Sequence, residues 1–276
     1  MKGSISISTF KGNKSSNQDR FSVDAKIISH DSPRIDCELE FELDETYHVV
    51  AVADGVTNSI DGGKAAEFVV KAIYDSYEEG VLTFEDEKDD VKETLKDCFD
   101  KIMDNVASML RWEYKDFISD VSVASTISVV MFNNKNIWAY NLGDSPILLI
   151  RDNRIISLFH EDTLGAEKLR KQKERNIADR LFFKEAPPTE REFNCLTKCV
   201  SNHCYQVDGN LFTSELQDED IILIASDGLL KAIKEDEIIG CNNSKKLIDK
   251  TLGKASDNVT VAVIRKEGED TRYVAD

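Results

Sequence analysis

The sequence predicts an α+β protein in which two packed β-sheets are covered by helices. Three observations carry this expectation: short β-rich runs fill the N-terminal part, two stretches with helical spacing follow between Gly63 and Leu110, and β-rich runs resume as far as Arg265. A sheet face and a helix stripe each bury their apolar side against another layer, so this order of elements resolves into stacked layers.

The first strands are expected at Ser4 to Thr9, Arg20 to Ile28, Cys37 to Leu43 and Tyr47 to Ala53, the last apolar enough to be buried on both faces. From Gly63 to Tyr77, Ala65, Ala66, Val69, Val70 and Ile73 keep helical spacing. In a longer helix Val91, Leu95, Cys98, Ile102, Val106 and Leu110 step by three or four, so the two helices should pack back to back. The acidic run Glu85 to Asp90 before it complements the positive end of the helix dipole. Strands then follow at Ala124 to Phe132, Asn136 to Leu142, Ile147 to Arg151 and Arg154 to Phe159. With Asn133-Asn134 and Asp152-Asn153 as turn signals, they read as a meander. A charged, partly helical insert, Glu161 to Glu192, interrupts the sheet. Strands return near Leu196 to Val200, Gln206 to Thr213, Ile221 to Ala225 and Val259 to Arg265.

With 41% hydrophobic residues, a chain of 276 can bury a substantial core without disulfides. No repeat or Pro/Gly/Ser linker divides it, so one domain over residues 1–276 is expected. The longest apolar runs, Val49 to Ala53 and Ile221 to Ala225, fall far short of the roughly 20 residues of a membrane span. The opening MKGSISISTF alternates like a strand and lacks the order of an export signal, so a cytoplasmic location is expected. Six cysteines at irregular spacing point to reduced thiols. A net charge of −17 argues against nucleic acid, whose phosphates it would repel. The one basic stretch, KLRKQKER from Lys168 to Arg175, reads as a solvated helix face.

Four aspartates stand where an apolar run meets a turn: Asp54 after VVAVA, Asp144 after Tyr140 to Gly143, Asp227 after IILIAS, and Asp257 before VTVAVI. Strand ends are rigid mounts for ligands. Asp54 and Asp227 are each followed by glycine, which lets the backbone approach a bound ion and leaves a carbonyl free as a ligand. Carboxylates, carbonyls and water suit Mg2+ or Mn2+, and neither HExxH nor paired CxxC offers a zinc alternative. Singly, an Asp-Gly after a strand is more often a turn than a metal ligand.

Taken together, NQDRF (17–21), VADGV (52–56), ASTISVV with NLGDSPILLI (124–150), NCLTKCVS (194–201), ILIASDGLL (222–230) and SDNVTVAVI (256–264) resemble, in order and approximate spacing, the type 2C metal-dependent protein phosphatases. The resemblance runs from about residue 3 to 265. It implies a four-layer αββα sandwich with two mainly antiparallel sheets, and a binuclear Mn2+ or Mg2+ centre at one end, acting on phosphoserine or phosphothreonine in proteins. Asp54 resembles the bridging ligand, with the Gly55 carbonyl beside it, and Asp227 and Asp257 resemble the carboxylates that complete the pair. Asp19 resembles the acidic residue that supports metal-bound waters, and Asp144 the residue that, with Asp227, holds a weaker third ion. Asn258 would orient Asp257. The implied chemistry is a water whose pKa is lowered by two cations about 3.5 to 4 Å apart and which attacks phosphorus in line, with no protein nucleophile. A phosphoprotein substrate and a monomeric enzyme are expected.

Three departures stand out. Gln18 occupies the usual glutamate position, and Lys14 stands where an arginine normally grips the substrate phosphate, a point charge in place of a fork. Thr57-Asn58 replaces the glycine pair that commonly follows, the next glycines being Gly62 and Gly63. The insert occupies the place of the family's mobile flap, and its basic face is the expected substrate-reading surface. Two other readings stay open. One is a catalytically weak, phosphatase-like binding or scaffold protein, against which the retained carboxylates argue, because clustered charges are costly to bury. The other is a zinc or Cys/His site from Cys195, Cys199, His203 and Cys204, whose spacing fits poorly. His160 reads as a turn residue.

Overall fold

Two six-stranded antiparallel sheets stack face to face in this computed structural model, which describes residues 2–24, 26–28, 32–82, 91–116, 122–174 and 186–267. Sheet one contains β1 (Lys2–Phe10), β4 (Arg34–Glu42), β9 (Ile147–Arg151), β10 (Arg154–Ser157), β13 (Ile221–Ala225) and β14 (Val259–Glu267), in the order β10-β9-β13-β14-β1-β4. Sheet two runs β12-β8-β7-β5-β2-β3, from β2 (Arg20–Val23), β3 (Lys26–Ile28), β5 (His48–Ala53), β7 (Ile127–Phe132), β8 (Asn136–Leu142) and β12 (Asn210–Glu215). A short pair, β6 (Ala124–Ser125) and β11 (Val200–Ser201), stands apart.

The central strand β5 shows why the layers form. Successive side chains point to opposite faces. Val50 and Val52 pack inward with Ile5, Ile7, Phe21, Ile222 and Ile264 between the sheets. Val49, Ala51 and Ala53 face Val69, Val70, Phe99 and Val106 of the two long helices, α1 (Gly62–Glu78) and α2 (Val91–Glu113). Each fully buried side chain of this size contributes roughly 1.5–3 kcal/mol. On the other side of the sandwich, Leu148, Leu223 and Val261 meet Leu229, Leu247 and Ile248 from α5 (Gly228–Ala232) and α7 (Ser244–Thr251), with α6 (Glu235–Ile238) between them in sequence. The four-layer αββα order expected from the resemblance is therefore present.

Several boundaries differ from the sequence expectation. The run Arg20 to Ile28 is a hairpin, β2 and β3, turning at Asp24 with φ 43°. The meander is broken: β7 pairs with β8 and β9 with β10, but the chain changes sheets between Leu142 and Ile147. Gly143, at φ +119°, and Pro146 make that crossing, and alternation alone does not signal it. Leu196 makes only an isolated bridge to Thr163, so the strand expected from it shrinks to β11. Helices α5 to α7 escape notice because they are short and amphipathic over few turns. Of the insert, α3 (Leu164–Glu174) and α4 (Glu190–Phe193) are seen, joined by the Lys168–Glu192 ion pair. The acidic run Glu85 to Asp90, Arg175 and the middle of the insert lie outside the described residues. Among the described residues no helix is long and apolar enough to cross a membrane.

Candidate functional site

The sheet change after Leu142 places the Asp144 turn at the same end of the sandwich as the C-terminal ends of β5 and β13 and the start of β14. Asp54, Asp144, Asp227 and Asp257 therefore line one cleft of about 740 Å³. Two backbone approaches fix its walls. A Cβ on Gly228 would lie 1.9 Å from the Asn258 carbonyl oxygen, so only glycine lets the start of α5 press against the start of β14 and bring Asp227 beside Asp257. A Cβ on Gly55 would lie 2.4 Å from the Gly62 carbonyl carbon, so the loop after Asp54 closes on the start of α1. The glycines after the aspartates thus admit neighbouring backbone here, a structural task beside the ligand role expected of the Gly55 carbonyl.

Asp54 is pinned through its main chain. Its N–H donates to Thr126 Oγ1 (3.1 Å), and its carbonyl accepts from the Thr126 N–H (2.9 Å) and the Ser125 hydroxyl (3.0 Å). Behind it Asp19 is buried. Ser226 Oγ accepts the Thr260 N–H at 2.9 Å and donates to Asp19 Oδ2 at 2.8 Å, while Asp19 Oδ1 has no partner among the described residues.

The carboxylates raise one another. Burial first, then the charges of Asp19, Asp227, Asp144 and Asp257, hold Asp54 well above the ordinary carboxyl range. Burial, then Asp227 and Asp257, push Asp19 up to about 6 despite hydrogen bonds from Ser226 and Thr260. Burial and Asp227 push Asp144 up to about 7, with Lys231 opposing. Glu161, at the start of the insert, is raised by burial and by Asp227. A wholly enclosed carboxylate with one oxygen unpaired, among others that repel it, is a donor set short of positive charge. Its chemistry, several carboxylates on one cleft, fits a hard divalent cation.

Two lysines supply part of that charge. Lys231, one turn into α5, pairs with Asp227 Oδ2 and lies 3.7 Å from Asp257 Oδ2. Lys14 Nζ lies 2.9 Å from Asp257 Oδ1 and donates to Thr57 Oγ1 at 3.2 Å. With these ammonium groups between them, no three or more Asp, Glu, His or Cys side chains among the described residues converge on a single point as a ready-made cage.

Asn258 does more than the resemblance implies. Its N–H donates to Asp257 Oδ1 at 2.9 Å, its side-chain amide donates to the Lys11 and Ser16 carbonyls, and its Oδ1 accepts the Gln18 N–H. The loop carrying Lys14 is thereby stapled to the segment that leads from Asp257 into β14. Sequence reasoning missed Lys231, Glu161, Thr126 and Ser226. The spacing of Asp227 and Lys231, four residues apart at a helix start, was a usable signal for the first. The cysteine alternative weakens, because burial, then the neighbouring Cys204, pushes the Cys199 thiol up to about 11, opposite to what a nucleophile needs. His160 is exposed. Of the basic face of α3, Lys168 is paired with Glu192 and Lys171 lies 3.7 Å from Glu167.

Two antiparallel sheets packed face to face between helices, with an acidic cleft at the strand ends, define a phosphatase-type sandwich, and comparisons with known proteins agree. The Protein phosphatase 2C family profile matches residues 25–259, so the chain belongs to the protein phosphatase 2C family, a family of phosphoprotein phosphatases. The serine/threonine phosphatase stp of Listeria monocytogenes is 23% identical over 239 residues, covering 82% of this chain and 88% of the relative. A putative protein phosphatase 2C-type protein of Streptococcus pyogenes is 24% identical over 240 residues, covering 84% and 91%. Among solved structures, the serine/threonine phosphatase Stp1 from Staphylococcus aureus matches with a TM-score of 0.72 at 18% identity, over 96% of this chain and 95% of that one. The catalytic domain of PstP, solved in complex with two manganese ions, matches with a TM-score of 0.67 at 19% identity, over 97% and 100%.

Proposed function

We propose that this chain dephosphorylates phosphoserine and phosphothreonine in proteins with two divalent cations, Mn2+ or Mg2+, held by Asp54, the Gly55 carbonyl, Asp227 and Asp257, and a weaker third held by Asp144 with Asp227. The observation that carries this reading is the cleft of strand-end carboxylates backed by the unpaired Asp19 Oδ1. Bound ions of this kind supply a water of lowered pKa and neutralise phosphoryl charge. The residues supply the rest. Thr126 and Ser125 fix the Asp54 main chain, and Ser226 holds Asp19 through Oδ2, which leaves Oδ1 as an acceptor for water. Lys14, at the rim, offers an ammonium to a substrate phosphate, exchanging Asp257 for it. Glu161 and Glu190 from the two ends of the insert, with Phe193, Asn194 and Leu196 just after it, line the cleft, which supports the reading of 161–192 as a substrate-facing flap. The reading includes a single catalytic domain, a monomer and a cytoplasmic location.

The second reading, a phosphatase-like binding protein without turnover, draws on Lys14 and Lys231, which already occupy Asp257 and Asp227. Hydrolysis of para-nitrophenyl phosphate and of a phosphothreonine peptide separates the two. Turnover that requires Mn2+ or Mg2+ and stops in EDTA is expected. Undiminished turnover in EDTA would overturn the metal role, and no turnover with either ion would favour the binding protein.

A further inference from the structure

We propose that Lys231 is a tethered counter-cation that competes with divalent ions for Asp227 and Asp257 and so sets the metal concentration at which the cleft fills. The proposal rests on reading the cleft as a metal centre. Its ammonium bridges a carboxylate that follows β13 and one that precedes β14, pairing with Asp227 Oδ2 while lying 3.7 Å from Asp257 Oδ2. That position is built into the backbone. Asp227 stands at the N-cap position of α5 and Lys231 follows four residues later, and the contact of Gly228 with the Asn258 carbonyl fixes α5 against β14.

An isolated ion pair of this spacing on an open helix face does little. This one sits where carboxylates repel. Asp227 and Asp257, which its ammonium contacts, line one cleft with Asp54 and Asp144. The other Asp257 oxygen, Oδ1, is taken by Lys14 at 2.9 Å, so both oxygens of one proposed ligand face ammonium groups. A divalent ion that enters at these oxygens meets a monocation already in contact with them, and the two positive charges repel at short range. Binding the ion therefore costs the work of moving the Lys231 ammonium away. With 40% of its side chain exposed, Lys231 can swing its head into water while the stem stays packed.

Lys231→Met keeps the stem and removes the charge, Lys231→Gln does so with a polar end, and Lys231→Arg keeps the charge. Mn2+ is titrated into each protein by calorimetry after EDTA treatment and dialysis. Affinity about tenfold tighter than wild type is expected for Met and Gln, and within about twofold of wild type for Arg. Melting temperatures taken in EDTA should fall for Met and Gln, since the carboxylates lose their neutraliser. A packing role alone would lower the melting temperature and leave the isotherm unmoved, which overturns the proposal. If wild type and all variants bind no Mn2+, the metal-centre reading itself falls, and this inference with it. If wild type binds and the Met and Gln variants bind alike, only the role of Lys231 is lost.

Discussion

In the presence of a chelator, replacing Asp19 with asparagine should stabilise the protein at neutral pH and change nothing in acid. Asp19 is 3% exposed, and burial, then the charges of Asp227 and Asp257, move its carboxyl from 3.8 to about 6. The folded pKa lies above the unfolded one, so the folded state holds the proton longer. The associated stability is complete below about pH 4 and is lost as pH rises through about 6. At about 1.4 kcal/mol per tenfold, that interval corresponds to on the order of 3 kcal/mol, fully lost by about pH 7. Asparagine carries no charge to penalise. Its carbonyl oxygen can accept the Ser226 hydroxyl as Asp19 Oδ2 does at 2.8 Å, and its amide takes the place of Oδ1, which has no partner among the described residues. Thermal unfolding of both proteins in EDTA, from about pH 3.5 to about pH 8, measures the difference. At roughly 2–4 °C per kcal/mol for a chain of this size, the gap should open from near zero to about 6–12 °C in favour of the variant. Saturating Mn2+ should close or invert it, since a bound cation stabilises the ionised form. A gap independent of pH, or a wild type more stable at pH 8 in EDTA, would refute the placement of Asp19 among repelling carboxylates.

Asp54→Ala and Asp227→Ala should fold, with far-UV circular dichroism unchanged, and lose calorimetric Mn2+ binding; an unaltered isotherm for Asp54→Ala would show the ligand set is wrong. Gly228→Ala puts a Cβ 1.9 Å from the Asn258 carbonyl oxygen, and by the usual cost of overpacking should lose about 1–3 kcal/mol in urea unfolding while also weakening Mn2+ binding, because Asp227 is levered away from Asp257. A Gly228→Ala protein as stable as wild type would deny that contact. Lys14→Ala should raise KM for a phosphopeptide about tenfold with a smaller change in kcat, since an ammonium on a phosphate already charged before attack binds ground and transition states alike. Lys14→Arg should restore KM, and wild-type KM in both variants would leave Lys14 a loop charge paired with Asp257.

The layers were legible in the sequence because they rest on periodicity. Val49 to Ala53 is apolar at every position, and the structure buries Val50 and Val52 against one layer and Val49, Ala51 and Ala53 against another. The connectivity between sheets was not legible. Nothing in the alternation of Asn136 to Leu142 and Ile147 to Arg151 tells whether the second strand folds back beside the first or crosses to the other sheet, and the crossing at Gly143 to Pro146 is decided by packing at a distance. Four aspartates at strand ends were legible one by one, but their convergence depends on that crossing, because a true meander would have left Asp144 on sheet two with its neighbours.

Of the three departures from the family pattern only Gln18 changes the charge, since Lys14 keeps that of the arginine it replaces. Within the cleft, Lys231 places an ammonium between Asp227 and Asp257, and Lys14 pairs directly with Asp257. A cluster in which Asp19, Asp54 and Asp144 are all held above their ordinary range opposes folding at neutral pH until positive charge arrives. The two lysines lower that opposition from within the chain. The same charge that steadies the fold must be displaced when a divalent ion binds, so stability in chelator and affinity for Mn2+ are coupled with opposite sign. Variants at positions 14 and 231 should therefore fall on one line: whatever lowers the melting temperature in EDTA by removing an ammonium tightens the Mn2+ isotherm. Measuring both quantities on Lys14→Ala, Lys231→Met and the double variant tests this directly, and two ammonium groups that neutralise neighbouring oxygens of Asp257 should give effects that are less than additive. Strict additivity in both measurements would mean that the two lysines act on separate sites.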